Sequence, residues 1–289
     1  MTATAFFLLK ILGRLPLRTR RRLGACLGDL ARLILRGRRR VAARNLSLAL
    51  PEISAAERRA VLRRHFQLLG AVFLDECALL GMSASEVREW LHLDDEDASR
   101  EGPVIFCAPH FVAAGIGGLR LSAPLGGRVM FHYRPLHSRF WDCFYRRLRG
   151  KFGAAGISAA SAGAMRLCAR NLRRGGAVFY LPDTDGGRRK SAVFAPFLGV
   201  AAAATTTAPS RLASLGGARV RLFTSFLTDD GYEIQMSPPL EDFPGADAAA
   251  DTRRLNALIG EQIRRDPAQY YWLHRRFKTR PEGESPRYA

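Results

Sequence analysis

Residues 102–118 read GPVIFCAPHFVAAGIGG, and this stretch decides the class of fold. Residues 104–108 form a short apolar run after a Gly-Pro boundary, which predicts a buried parallel strand. Pro109 ends the run, so His110 follows at the carboxyl end of the strand, where open α/β sheets keep their chemistry. Its ordinary pKa is near neutrality, which makes His110 a candidate general base; the alternative is a structural histidine bonded to a loop carbonyl.

Around this stretch, strands alternate with helices from residue 103 onward. This order predicts an α/β fold with a mostly parallel central sheet flanked by helices. Further strands are expected at 129–133, 156–158, 177–181, 220–227 and 232–237, and helices at 115–121, 138–152, 161–172 and 249–264. The Ala/Thr-rich run 201–207 is interpreted as a low-complexity segment that leads into another helix.

The first 44 residues are basic, and we expect them to form a membrane-associating helical domain ahead of an α/β domain at 45–289. Leucines recur at helical spacing between arginine clusters at 18–22 and 36–40. Apolar helix faces beside clustered arginines are typical of an interfacial membrane anchor. One alternative is that the leucines pack on the core. The other is that the segment binds nucleic acid, and the lack of interleaved aromatic residues argues against that second alternative.

A helical prelude at 53–92 opens the second domain. The pattern Ser54-x-x-Glu57 is a capping box that begins one helix, and further helices are expected at 73–80 and 83–91.

Overall composition limits the partners and the compartment. The net charge of +19 implies an anionic partner. The five cysteines lack a C-x-x-C pair, which indicates a reduced compartment without disulfides, and no histidine has metal-ligand spacing. We therefore predict no metal. No run of eighteen apolar residues and no signal peptide are apparent, so the expected location is a cytosolic face.

Polar residues follow three of the predicted strands: His110, Arg134, and Asp183 with Asp185. Because the carboxyl ends of parallel strands share one edge of a sheet, we expect a base, a cation and two carboxylates to converge. His110 would take a proton, Arg134 would bind a phosphate or oxyanion, and the aspartates would orient Arg134 or a sugar hydroxyl. The alternative for each is a loop salt bridge.

Six motifs give the chain a resemblance to the bacterial lipid A biosynthesis acyltransferases, the lauroyl/myristoyl transferase group. They are Arg44-Asn45-Leu46 before Pro51-Glu52, residues 108–112, Tyr133-Arg134-Pro135, residues 182–186, residues 193–199 and residues 272–278. The resemblance implies transfer of a fatty acyl chain from an acyl carrier protein thioester to a hydroxyl of a lipid A precursor or related glycolipid, without a dissociable cofactor. It also implies the cytoplasmic face of the bacterial inner membrane, with anionic lipid rather than nucleic acid as partner.

The resemblance further implies a motif of histidine, four residues and an acid, and here the sequence departs from it. Gly115 stands where the acid is expected, and no acidic residue occurs from Phe111 to Gly127. The chain is therefore a weak enzyme, an enzyme helped by a remote acid such as Asp183 or Asp185, an enzyme for another acceptor, or an inactive accessory homologue.

Basic residues in two further segments are candidate contacts for an anionic substrate. They are Arg188 and Arg189 after the aspartates, and Arg275, Arg276 and Lys278 near the carboxyl terminus.

Overall fold

The computed structural model describes residues 2–91, 93, 102–125, 128–133, 138–153, 155–158, 163–188 and 191–288. Its strands are β1 (Val104–Cys107), β2 (Val129–Tyr133), β3 (Ala155–Ser158), β4 (Ala177–Tyr180), β5 (Ala192–Phe197), β6 (Val200–Thr206), β7 (Arg219–Leu227) and β8 (Tyr232–Met236). Six form one sheet in the order β3-β2-β4-β1-β7-β8, parallel throughout except for β8. The predicted α/β class with a mostly parallel sheet is confirmed.

Helices cover both faces of the sheet and build the amino-terminal region. They are α1 (Thr2–Gly13), α2 (Leu17–Ile34), α3 (Arg36–Ala49), α4 (Ala55–Leu79), α5 (Ala84–Trp90), α6 (Ala114–Leu125), α7 (Arg139–Lys151), α8 (Ala164–Arg173), α9 (Ala208–Gly216) and α10 (Ala248–Arg265). Two apolar clusters form the core, one on each side of the sheet. The capping box of Ser54 and Glu57 begins α4 as the sequence predicts.

Two expectations about these elements are wrong. The helix expected at 73–80 is the last part of α4, which continues through Gly70 without a break. Residues 201–206 of that run belong to β6, which pairs antiparallel with β5. Their short side chains suit this hairpin, because Ala203 and Ala204 are buried between the strands and the rest of the core.

The glycine at residue 70 lies inside α4 because α2 and α4 cross there in close contact. A β-carbon at Gly24 would lie 2.5 Å from the Cα atom of Ala71, and one at Gly70 would collide with the carbonyl oxygen of Gly24. Glycine inside a helix costs roughly 1 kcal/mol relative to alanine. Here it allows the two backbones to touch, so the packing of α2 on α4 offsets that cost.

The packing leaves the leucine face of α2 outward. The buried positions of α2 are Arg20, Gly24 and Gly28, whereas its leucines point to solvent. Exposed large apolar residues of the amino-terminal helices and the turn after α2 are Phe7, Leu8, Ile11, Leu23, Leu27, Leu30, Leu33, Ile34 and Leu35. The leucines therefore do not pack on the core. Within the described ranges, no helix has the length and apolar character needed to cross a bilayer.

Candidate active site

The register of β1 and β4 brings the first two candidate residues together. Cys107 pairs with Tyr180 at the ends of these neighbouring parallel strands. His110 and Asp183 each follow three residues later, so both chains leave the sheet side by side. The Nδ1 atom of His110 lies 2.5 Å from Oδ1 of Asp183, and the backbone N–H of His110 donates to Oδ2 at 2.8 Å.

Burial and hydrogen bonding together determine the protonation of this pair. Asp183 is fully buried, and its burial alone would raise the carboxyl pKa. The positive charge of the imidazole and the two hydrogen bonds from His110 outweigh burial and lower the pKa of Asp183 to about 2. An ionised carboxylate only accepts hydrogen bonds, so the ring proton of neutral His110 lies on Nδ1. The Nε2 atom is then an acceptor for a substrate proton.

The backbone around His110 is held by the carboxyl-terminal segment of the chain. The N–H of Tyr271 donates to the carbonyl oxygen of His110 at 2.7 Å, and the N–H of Val112 donates to that of Gln269 at 2.8 Å. These hydrogen bonds fix the loop that carries the imidazole. Residues distant in sequence thereby position the candidate base.

The imidazole of His110 borders a cleft of about 430 Å³, and 28% of its side chain is exposed. This volume lies in the range of ordinary ligand sites. Most of the lining is apolar: Leu69, Val72, Phe73, Phe111, Val112, Ala114 and Leu181. An apolar wall beside a basic nitrogen suits a hydrocarbon chain whose reacting group must meet a base.

The cleft also contains an acid that the sequence prediction missed. Glu76 of α4 and Tyr145 of α7 both line it, and the hydroxyl of Tyr145 donates to Oε2 of Glu76 at 2.8 Å. Burial raises the pKa of Glu76 to about 7. The sequence did carry a signal, because Asp75 and Glu76 are two adjacent acids inside an otherwise apolar helical run.

A second histidine lies beside the candidate base. The rings of His110 and His274 are 5.9 Å apart, and Nδ1 of His274 is 3.0 Å from the carbonyl oxygen of Tyr271. Burial, followed by the nearby charge of His110, lowers the pKa of His274 to about 4. His274 is therefore neutral at physiological pH and adds no positive charge to the dyad.

Asp185 has hydrogen-bond partners other than the imidazole. Its carboxylate accepts hydrogen bonds from the backbone N–H and hydroxyl of Thr279, both at 2.7 Å, and from the N–H of Gly187 at 2.8 Å. These bonds tie the turn after β4 to the carboxyl-terminal tail. This contact set is a structural one.

The predicted cations occupy different environments. Arg188, Arg275 and Lys278 are exposed. Arg276 is in the interior, where its guanidinium donates to the carbonyl oxygen of Ala204 and the hydroxyl of Thr205. Both of these nitrogens are thus engaged inside the protein, contrary to the expected contact with substrate. Arg134 and Arg189 lie outside the described residues.

The described part of the chain has no group of three or more His, Cys, Asp or Glu side chains arranged to hold a metal ion.

Comparison with known proteins shows the family of the chain. The family model described as bacterial lipid A biosynthesis acyltransferase matches residues 2–279. The chain is 33% identical over 275 residues to the lipid A biosynthesis palmitoleoyltransferase of Escherichia coli (strain K12), covering 92% of this chain and 87% of the relative. It is 32% identical to the lauroyltransferase of the same organism, over 92% of this chain and 88% of the relative. It is also 31% identical to its myristoyltransferase, over 90% and 81% respectively. With similarity along nearly its whole length, the chain belongs to the bacterial lipid A biosynthesis acyltransferases and is an acyltransferase enzyme.

Proposed function

We propose that the protein transfers a fatty acyl chain from an acyl carrier protein thioester to a hydroxyl group of a lipid A precursor. The observation that carries the proposal is the dyad of His110 and Asp183 at an apolar cleft. The names of the relatives support an acceptor of the lipid A type. The cleft supplies a place for the acyl chain, and each methylene that it buries contributes about 0.8 kcal/mol to binding.

In this reaction His110 is the general base. Its Nε2 atom takes the proton of the acceptor hydroxyl as the oxygen attacks the thioester carbonyl carbon. The C–O bond forms, the C–S bond breaks, and the imidazolium returns its proton to the departing thiolate. Asp183 keeps the ring in the tautomer that leaves Nε2 free and stabilises the imidazolium while it exists.

Cations have a role in binding the anionic groups of both substrates. Arg134 directly follows β2, whose neighbour in the sheet is β4, and we assign it the phosphate or the developing oxyanion. The exposed Arg188, Arg275 and Lys278 are candidates for phosphates of the acceptor or for the carrier protein. Asp185 supports the site through the tail, and Arg276 supports it from the interior.

The amino-terminal helices are proposed to bind the membrane that contains the acceptor, at the cytoplasmic face of the bacterial inner membrane. The outward leucines of α2 stand beside arginines, a combination that binds anionic lipid surfaces. This arrangement would bring the cleft to an acceptor that does not leave the bilayer.

The test measures acyl addition to a lipid A precursor by mass spectrometry, with purified protein, acyl carrier protein thioester and anionic liposomes. We expect transfer by the original chain and its loss in His110→Ala. Thr184→Ala, an exposed neighbour of Asp183, is the control and should keep the activity. No transfer by the original chain, or transfer unaffected by His110→Ala, contradicts the proposed reaction.

A further inference from the structure

Asp75 and Glu76 are adjacent on α4 but face different surroundings. Asp75 forms an ion pair inside the protein with Arg20, whose Nε atom lies 2.5 Å from Oδ1. The hydroxyl of Tyr232 also donates a hydrogen bond to Oδ2 of Asp75 at 2.6 Å. Glu76 has Tyr145 as its hydrogen-bond donor, and none of the described arginines or lysines forms an ion pair with it. An acid kept without a cation at the wall of a cleft is costly, so its position calls for a functional reason.

The position of Glu76 is linked to the glycine in the motif. Among the described residues outside its own helix backbone, a β-carbon built on Gly115 would have one neighbour within 4 Å, the Oε1 atom of Glu76 at 3.3 Å. Any side chain at residue 115 would therefore project at the carboxyl group of Glu76. Residues 76 and 115 are two alternative origins for a carboxyl group at the same place in the cleft.

We infer that Glu76 supplies from α4 the cleft carboxyl group that residue 115 lacks, and that it accepts a hydrogen bond from a polar N–H or O–H group of the acceptor next to the reacting hydroxyl, which leaves the reacting O–H free to donate to Nε2 of His110. This inference rests on the proposed function. Glu76 is 8% exposed and lines the same cleft as His110, so one acceptor molecule bound there can contact both side chains.

This arrangement assigns separate tasks to the two acids of the site. Asp183 holds Nδ1, on the inner edge of the imidazole, and leaves Nε2 open. Glu76 holds the acceptor molecule and not the ring. The proton still passes from the hydroxyl to Nε2, so no additional reactant is needed.

The experiment moves the carboxyl group from one residue to the other. Initial rates are measured with varied acceptor for the original chain, Glu76→Gln, Glu76→Ala and the double variant Glu76→Ala with Gly115→Glu. We expect both single variants to lose about a hundredfold in kcat, the usual cost of a misplaced reactant. The double variant should recover at least tenfold over Glu76→Ala, because truncation at 76 removes the one neighbour of a side chain at 115.

A matched double variant, Glu76→Ala with Gly115→Gln, has the same shape without the acid and should not recover. Thermal unfolding of each variant separates a loss of activity from a loss of fold. Glu76→Gln keeps an acceptor for the hydroxyl of Tyr145 and should unfold like the original chain.

The outcomes distinguish this inference from the proposed function. If the original chain transfers acyl groups and Glu76→Gln is within threefold of it, Glu76 has no such role, although the reaction stands. The inference is equally overturned if folded Glu76→Ala is inactive and Gly115→Glu does not restore it. If the original chain transfers nothing, the proposed function itself fails.

Discussion

Replacing Asp183 by asparagine tests the dyad with the smallest possible change in shape. Burial acts to raise the pKa of Asp183, yet its interactions with His110 lower it to about 2 from an ordinary 3.8. This lowering, which remains after the opposing effect of burial, corresponds to about 2 kcal/mol of net attraction that holds the carboxylate beside a protonated imidazole. The imidazolium forms during acyl transfer, so the loss of this attraction alone lowers the rate by roughly 50-fold.

Asparagine at residue 183 adds a second cost through the tautomer. Its amide N–H can donate to Nδ1 of His110, which moves the ring proton to Nε2 and removes the acceptor for the substrate proton. The same substitution in the serine-protease triad lowers kcat by about 10⁴. We therefore expect kcat of Asp183→Asn to fall by about 10² to 10⁴, with a smaller change in KM.

The assay is acyl transfer from a carrier-protein thioester to a lipid A precursor, measured as initial rates at saturating donor. Asp185→Asn is the matched control, because its contacts are Thr279 and Gly187 and not the imidazole. It should keep kcat within about tenfold, and its effect should appear mainly in thermal stability. Our reasoning is refuted if folded Asp183→Asn stays within tenfold of the original chain while His110→Ala is inactive.

Three further predictions concern the helices and the buried histidines. The double variant Leu27→Glu with Leu30→Glu should weaken flotation with anionic liposomes by at least tenfold. Leu215→Glu, which changes an equally exposed leucine on α9, should not weaken it. Equal flotation of the two variants would exclude the leucine face of α2 as the membrane-binding surface. Gly24→Ala should lower the free energy of unfolding by about 2 kcal/mol, because the new β-carbon would collide with the Cα atom of Ala71. Gly37→Ala in α3, where a β-carbon has nothing within 4 Å, should raise the free energy of unfolding slightly. The reverse order in urea unfolding would refute the contact between the two helices. Burial lowers the pKa of His65 to about 4, so between pH 6.5 and 4 the unfolded chain binds a proton that the folded chain does not. The contribution of neutral His65 to stability is complete above pH 6.5, and the free energy of unfolding should fall by about 3 kcal/mol through this window. Urea unfolding of His65→Gln should show a smaller decrease, and an identical pH dependence would contradict the assignment.

Much of the fold was predictable because its signals are local. The apolar run before His110 and the capping box at Ser54 each depend on a few neighbouring residues. The failures came where a distant partner decides the outcome. Gly70 breaks a helical pattern locally but is required by the backbone of α2, and residues 201–206 become a strand only by pairing with β5.

The candidate site divides in the same way. Strand ends predicted that His110 and Asp183 share an edge, but the sequence could not choose between Asp183 and Asp185 as the partner of the imidazole. The register of β1 with β4 makes that choice, since residues 110 and 183 are equally far from the paired ends. Glu76 could not be placed, because it arrives from a helix that crosses the cleft 34 residues before His110.

Helix α4 connects the proposed membrane surface with the cleft, because one of its two adjacent acids contacts α2 and the other lines the cleft. Asp75 forms a buried ion pair with Arg20 of α2, the helix whose other face carries the exposed leucines. Glu76 faces the cleft beside Tyr145 and Gly115. Breaking a buried ion pair by removing one partner costs about 3 to 5 kcal/mol, so Arg20 holds α2 firmly on α4. The leucine face and the cleft acid are therefore fixed relative to each other by one pair of neighbouring residues, which is the arrangement that an enzyme needs to act on an acceptor held in a bilayer.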